Sequence, residues 1–169
     1  PCGAPTELVE QFKLALGSNA VKLLDGLLER PKIVTTEMEH HSNLLPWIEA
    51  VGHHNVEVIR VGSDGTLDLA AFQAYMDAEG DQVRLVAVTG LSNVTGIMNP
   101  VHQLARITHQ FGAQILVDGA QRETHARVRM HTGDPQEAID YLVLSGHKLY
   151  APGSRGALIG DLETLASCK

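Results

Sequence analysis

Two hydrophobic periods alternate along the chain. Residues 6–16 set Leu8, Val9, Phe12, Leu14, Ala15 and Leu16 at helical spacing behind Thr6 and stop at Gly17, and residues 19–30 form a second helical stretch closed by Pro31. Short apolar runs follow at 32–35, 56–61, 83–89, 114–117 and 141–144, with a last one at 156–160, and each predicts a strand. Helical patterns separate them. One follows the polar stretch that begins at Thr36 and runs through Pro46 and Trp47. Another covers 68–78 with Leu69, Phe72 and Met76 on one face, and a third covers 100–111 with Pro100 at its start and Leu104, Ala105 and Ile107 apolar. A short fourth one precedes residue 141. Strand alternating with helix predicts a three-layer α/β/α architecture around a mostly parallel sheet, forming one domain or part of one.

Polar residues of a particular kind stand at the ends of these runs. His40, Asn93, Asp118 and Lys148 each follow an apolar run, and Lys148 lies in Ser145-Gly146-His147-Lys148-Leu149-Tyr150. In a parallel sheet with right-handed crossovers such ends share one edge, the place where open α/β sheets bind ligands. A lysine amine can form a Schiff base with an aldehyde cofactor, and a carboxylate such as Asp118 can keep the pyridine nitrogen of pyridoxal phosphate protonated. An imidazole such as His40 suits the face of a flat ring. Asn93 and Gln121 offer amide donors to its phenolate oxygen, and Thr6 at its helix start, Ser145 and His147 suit its phosphate. Each residue also has an ordinary role open to it: Asp118 as a turn cap, His40 as a satisfied buried histidine, Asn93 bonded to its own loop, and Lys148 as a solvated charge. Their joint placement is what points to a site.

Composition narrows the partners. The 169 residues are 44% hydrophobic, enough for one sizeable core, and the net charge of -7 argues against nucleic acid or anionic membrane as the main partner. No apolar stretch is long enough to span a bilayer, and the N-terminus lacks the pattern of a signal peptide, so a cytoplasmic location is the default expectation. Cys2 and Cys168 stand at opposite ends and are expected to be unpaired thiols. His40-His41 and His53-His54 are adjacent pairs, a spacing that does not turn both rings to one metal, and no metal is expected.

Four motifs in order resemble the class V aminotransferase family: Glu37-Met38-Glu39-His40-His41-Ser42-Asn43 with Pro46-Trp47, Ser92-Asn93-Val94 with Gly96, Val117-Asp118-Gly119-Ala120-Gln121, and Ser145-Gly146-His147-Lys148-Leu149-Tyr150. Within it they are most similar to the cysteine desulfurase and selenocysteine lyase group. The resemblance implies pyridoxal 5'-phosphate as cofactor and the large domain of a fold type I enzyme, with residues 1–169 as its central part and a smaller C-terminal domain outside them. It implies Lys148 as the Schiff-base lysine, Asp118 on the pyridinium nitrogen, His40 stacked on the ring, and Asn93 and Gln121 near the phenolate oxygen. Thr6, Ser145 and His147 fall on the phosphate. The implied activity is cleavage of a C–S or C–Se bond of an amino acid to give alanine, with a homodimer and a sulfur-acceptor protein as partners. Aminotransferase or epimerase-like chemistry, or a non-catalytic remnant, are the alternatives. Two departures stand out. Ala4-Pro5 precedes Thr6-Glu7 where the family carries two adjacent hydroxyl residues, so Pro5 removes a hydroxyl and an N–H from the phosphate turn. The resemblance also implies that the substrate-carboxylate arginine and the catalytic cysteine fall outside residues 1–169 and that Cys168 does not take the latter role.

Overall fold

The computed structural model describes residues 30–162 and 165, so the first two helical segments, Thr6 and both cysteines lie outside the described residues. Six strands form one sheet: β1 (Lys32–Thr36), β2 (Val56–Ile59), β3 (Val83–Thr89), β4 (Gln114–Asp118), β5 (Tyr141–Ser145) and β6 (Gly156–Gly160). Their order is β2-β1-β3-β4-β5-β6, with β1 to β5 parallel and β6 antiparallel to β5. The direction of β6 follows from its connection. Residues 146–155 return the chain directly, whereas a parallel neighbour needs a longer crossover.

Three α-helices are described: α1 (Leu45–Val51), α2 (Leu69–Glu79) and α3 (Val101–Gln110). Asp68 caps α2 by accepting the Ala71 N–H at 2.9 Å. The short helix expected before β5 is a single 3₁₀ turn, Pro135–Glu137. Asp134 closes that turn on the Gln136 N–H, and Ala138 is already extended, which leaves no room for a second turn.

Burial on both faces explains the unbroken apolar runs of the central strands. Val34, Val86, Val88, Ile115, Val117 and Leu142 point to one face and join Phe72, Met76, Leu104 and Ile107 in a single core cluster. By strand alternation Ala87, Leu116, Asp118 and Val143 point to the other face. A polar fastening holds β5 beside β4: the Asp140 carboxylate accepts the Ile115 N–H at 2.7 Å and meets His109 Nε2 on α3 at 3.0 Å. Together these features match the predicted α/β architecture, with α2 and α3 over one face of a mostly parallel sheet.

Gly146 opens the turn after β5 and has no room for a side chain. A Cβ there would lie 2.5 Å from the Arg155 carbonyl oxygen and press on the Ser154 hydroxyl. The Ser154 hydroxyl can turn aside but the Arg155 carbonyl is backbone, so Gly146→Ala should destabilise the protein by about 1–3 kcal/mol and shift the turn that follows. Urea unfolding measures this, and an unchanged midpoint would mean that residues 154–155 yield freely.

Candidate active site

Lys148 stands on a 3₁₀ turn, Gly146–Leu149, rather than on an irregular loop. The Tyr150 and Ala151 N–H groups both close on the Gly146 carbonyl, and Tyr150 ends the turn in the left-handed region at φ 60. Ser145 is the last residue of β5, and its hydroxyl lies 3.1 Å from His147 Nδ1. The lysine amine donates to Gln121 Oε1 at 3.2 Å. An ammonium only donates, so this bond fixes the Gln121 amide with its oxygen toward Lys148 and its NH₂ turned elsewhere.

Asp118 ends β4 and is 9% exposed. One of its oxygens accepts the Ala120 N–H at 2.9 Å, so it caps its turn while also facing the cleft. Asn93 is exposed in the loop after β3. Side-chain bonds from Ser92, whose hydroxyl accepts the Val94 and Thr95 N–H groups at 3.3 and 3.2 Å, and from Thr95, whose hydroxyl accepts the Ile97 N–H at 3.3 Å, shape this loop, and the Asn93 amide is left toward the cleft. His40 is exposed rather than buried. Its Nδ1 accepts the Ser42 N–H at 3.2 Å and meets the Ser42 hydroxyl at 2.8 Å, so the neutral ring carries its proton on Nε2.

One cleft of about 690 Å³ is lined by His40, Asn93, Asp118, Gln121, Ser145, His147 and Lys148 together. These are the predicted site residues apart from Thr6, which lies outside the described residues. His40, not His41, reaches the cleft. Residues outside the predicted set complete it: Leu116, Val143 and Leu158 from the sheet face, and Pro46 and Trp47 from α1. They give a polar edge an apolar floor and wall. The signal for the floor was period-two alternation in the strands, which sets Leu116 and Val143 on the same face as Asp118 and Ser145. No group of three or more His, Cys, Asp or Glu suited to a metal occurs among the described residues. No helix among them is long and apolar enough to cross a membrane.

Glu39 is the residue that sequence reasoning passed over. Its carboxyl takes donors from Thr36 Oγ1 at 2.6 Å, the Thr89 N–H at 2.8 Å and Asn43 Nδ2 at 2.6 Å, tying the segment after β1 to the end of β3. Burial pushes this carboxyl up to about 7, against the three hydrogen bonds and with a smaller push from the Asp118 charge. The three donors come from β1, β3 and the turn at Asn43, and no local spacing announces that they converge on one acidic side chain.

An α/β domain with a ligand cleft along the C-terminal edge of a parallel sheet is the class these features define. The chain belongs to the class-V aminotransferase family, whose model matches residues 10–169. It is 41% identical over 162 residues to a cysteine desulfurase of Dickeya dadantii (strain 3937), a match covering 95% of this chain and 36% of that protein. It is 46% identical over 130 residues to one of Enterobacter sp. (strain 638), covering 75% of this chain and 30% of the relative. The crystal structure of the cysteine desulfurase CsdA from Escherichia coli superposes with a TM-score of 0.66 at 30% identity, over 80% of this chain and 33% of that one. The chain thus spans about a third of the length of the relatives it matches.

The Glu39 shift makes stability depend on pH. A carboxyl raised from 4.5 to about 7 in the folded protein contributes stability that is fully present below 4.5 and lost as pH rises through about 7. Across that window the loss is about 3 kcal/mol. Urea unfolding of the protein and of Glu39→Gln at both ends of the window should show the stability difference between them change by that amount, with the original protein losing ground as pH rises. A difference that stays constant with pH would give Glu39 an ordinary carboxyl.

Proposed function

We propose that this chain is the central, cofactor-holding part of a pyridoxal-phosphate enzyme with cysteine desulfurase activity, releasing sulfur or selenium from cysteine or selenocysteine and leaving alanine. The observation that carries the proposal is the convergence of seven residues from the ends of four strands on one cleft, which Lys148, bonded to Gln121, shares with the buried Asp118. Relatives named cysteine desulfurase, at 41% and 46% identity, support the particular chemistry.

The donor set fits a flat aromatic aldehyde with an anionic tail. Leu116, Ala120, Val143 and Trp47 offer apolar surface to a ring, and His40 offers it a planar partner. Asp118 would hold a proton on the ring nitrogen, since a nearly buried carboxylate favours an opposite charge beside it. The Gln121 NH₂, turned away from Lys148 by their mutual bond, and the Asn93 amide would donate to the ring oxygen. Ser145 and His147, already paired at 3.1 Å, would donate to the phosphate, as would Thr6. Bound cofactor supplies an electron sink for charge released at the substrate Cα. Lys148 would hold the cofactor at its aldehyde carbon, and its amine would be the group that moves the proton at the substrate Cα. In this proposal the substrate-carboxylate group, the sulfur-accepting thiolate, a second copy of the chain and a sulfur-acceptor protein complete the enzyme, in a cytoplasmic setting.

Borohydride reduction of the chain mixed with pyridoxal phosphate should leave one phosphopyridoxyl mass, on Lys148, and Lys148→Ala should carry none above background. Equal labelling of that variant would remove Lys148 from the role. The 169-residue chain alone is expected to bind cofactor without sustained turnover, whereas a chain extended to the relatives' length should convert cysteine to alanine and, with a thiol reductant present to reduce the transferred sulfur, release sulfide. Pyruvate or racemised amino acid in place of alanine would overturn the desulfurase assignment.

A further inference from the structure

One carboxyl group, Asp118, lines the cleft and has a part in the proposed chemistry, while a second, Glu39, is bonded to the lining residues Asn43 and Thr89 without lining the cleft itself. Glu39 is enclosed by donors. Its Oε1 takes Thr36 Oγ1 and the Thr89 N–H, and its Oε2 takes Asn43 Nδ2 at 2.6 Å. Asn43 is 6% exposed, and its carbonyl oxygen accepts the Trp47 indole N–H at 3.2 Å. Since an indole only donates, Trp47 decides which way the Asn43 amide points, and the NH₂ of that amide must face Glu39. The bonds therefore run in one direction, from indole to amide to carboxylate, and they need an acceptor at the end. His40, Asn43 and Trp47, all on this short segment, line the cleft.

We propose that Glu39 is a positioning residue: its carboxylate, through Asn43, orients Trp47 and holds the segment bearing His40 against β3 as one wall of the ligand cleft. The inference rests on the proposal that this cleft takes pyridoxal phosphate. A proton on Oε2 sets one donor against another at Asn43, and if the amide turns over to meet it, the indole loses its acceptor. Burial holds the carboxyl at about 7, so the exchange falls near neutrality, with the wall ordered above that pH and released below it. Among the groups facing Glu39, β4 presents the charged Asp118, while β1, β3 and the turn at Asn43 present the neutral donors Thr36, Thr89 and Asn43. Glu37, two residues earlier, is engaged with the Val61 N–H at 2.9 Å.

Trp47 is the sole tryptophan of the chain, so its indole N–H gives one unambiguous proton resonance. In the cofactor-free chain that resonance should titrate with a midpoint near 7, and in Glu39→Gln it should not titrate. A resonance that is flat in the original protein, or that titrates alike in both, overturns the proposal. Pyridoxal phosphate affinity, measured by equilibrium dialysis, should fall about fivefold or more on lowering the pH from about 8 to about 6. In Glu39→Gln it should be weak throughout, and the variant comparison subtracts the cofactor's own titration. The unfolding midpoint of Glu39→Gln at the higher pH should not lie below that of the original protein. Unchanged affinity in the variant, or affinity lost in step with stability, overturns the positioning role. If the original protein binds no cofactor at any pH, the proposed function fails, and the indole titration still decides the link from Glu39 to Trp47.

Discussion

Thr89, Asp118 and Val143 are paired across β3, β4 and β5 in one row of the parallel ladder, and what the protein can do chemically depends on that register. Parallel pairing brings three strand ends to the same edge. It also sends their side chains to the same face, because direction and pleat are shared along the row. A slip of one residue in β4 would turn Asp118 into the core and Val117 into the cleft. Burial on both faces guards against that slip, since Val86, Ile115 and Val117 lie at 0% exposure on the far side. Hydrophobic packing under α2 and α3 thus fixes the position of a carboxylate that takes no part in it.

The strands were legible because their β-branched runs are bounded by turn residues, and the edge was legible because His40, Asn93, Asp118 and Lys148 follow those runs. Other features depend on contacts that no local pattern announces. The antiparallel course of β6 follows from a direct return through residues 146–155, and an apolar run such as Ala157-Leu158-Ile159 reads the same in either direction. Lys148 belongs to a 3₁₀ turn because Gly146 can lie against the Arg155 carbonyl, a contact across the hairpin. His40 could be weighed as a buried histidine from sequence, yet it is exposed, because Ser42 provides both of its local bonds at the surface. Thr6, expected at the phosphate, lies outside the described residues.

Side-chain orientation in the cleft is set by residues that have only one way to bond. Lys148 donates, which turns the Gln121 amide. Trp47 donates, which turns the Asn43 amide. In both pairs an ambiguous group takes its direction from an unambiguous one. The two amides therefore present defined faces before any ligand arrives, and a preorganised site avoids the ordering cost that a ligand would otherwise meet. Ser42 does the same for His40 by donating its N–H to Nδ1, which sets the orientation of the ring.

Glu39 and Asp118 oppose one another in this arrangement. Glu39 is held where a negative charge is costly, and the Asp118 charge adds to the burial that raises it. Held alone, the corner favours one fewer charge than its hydrogen bonds are built to accept. A ligand carrying a protonated nitrogen against Asp118 would cancel much of the field that Asp118 exerts on its neighbour. Ionisation of Glu39 and occupation of the cleft would then favour each other, and by linkage the effect must be equal in both directions. Burial, the larger cause of the Glu39 shift, would remain, so a cation in the cleft would relieve only the smaller part that the Asp118 charge contributes.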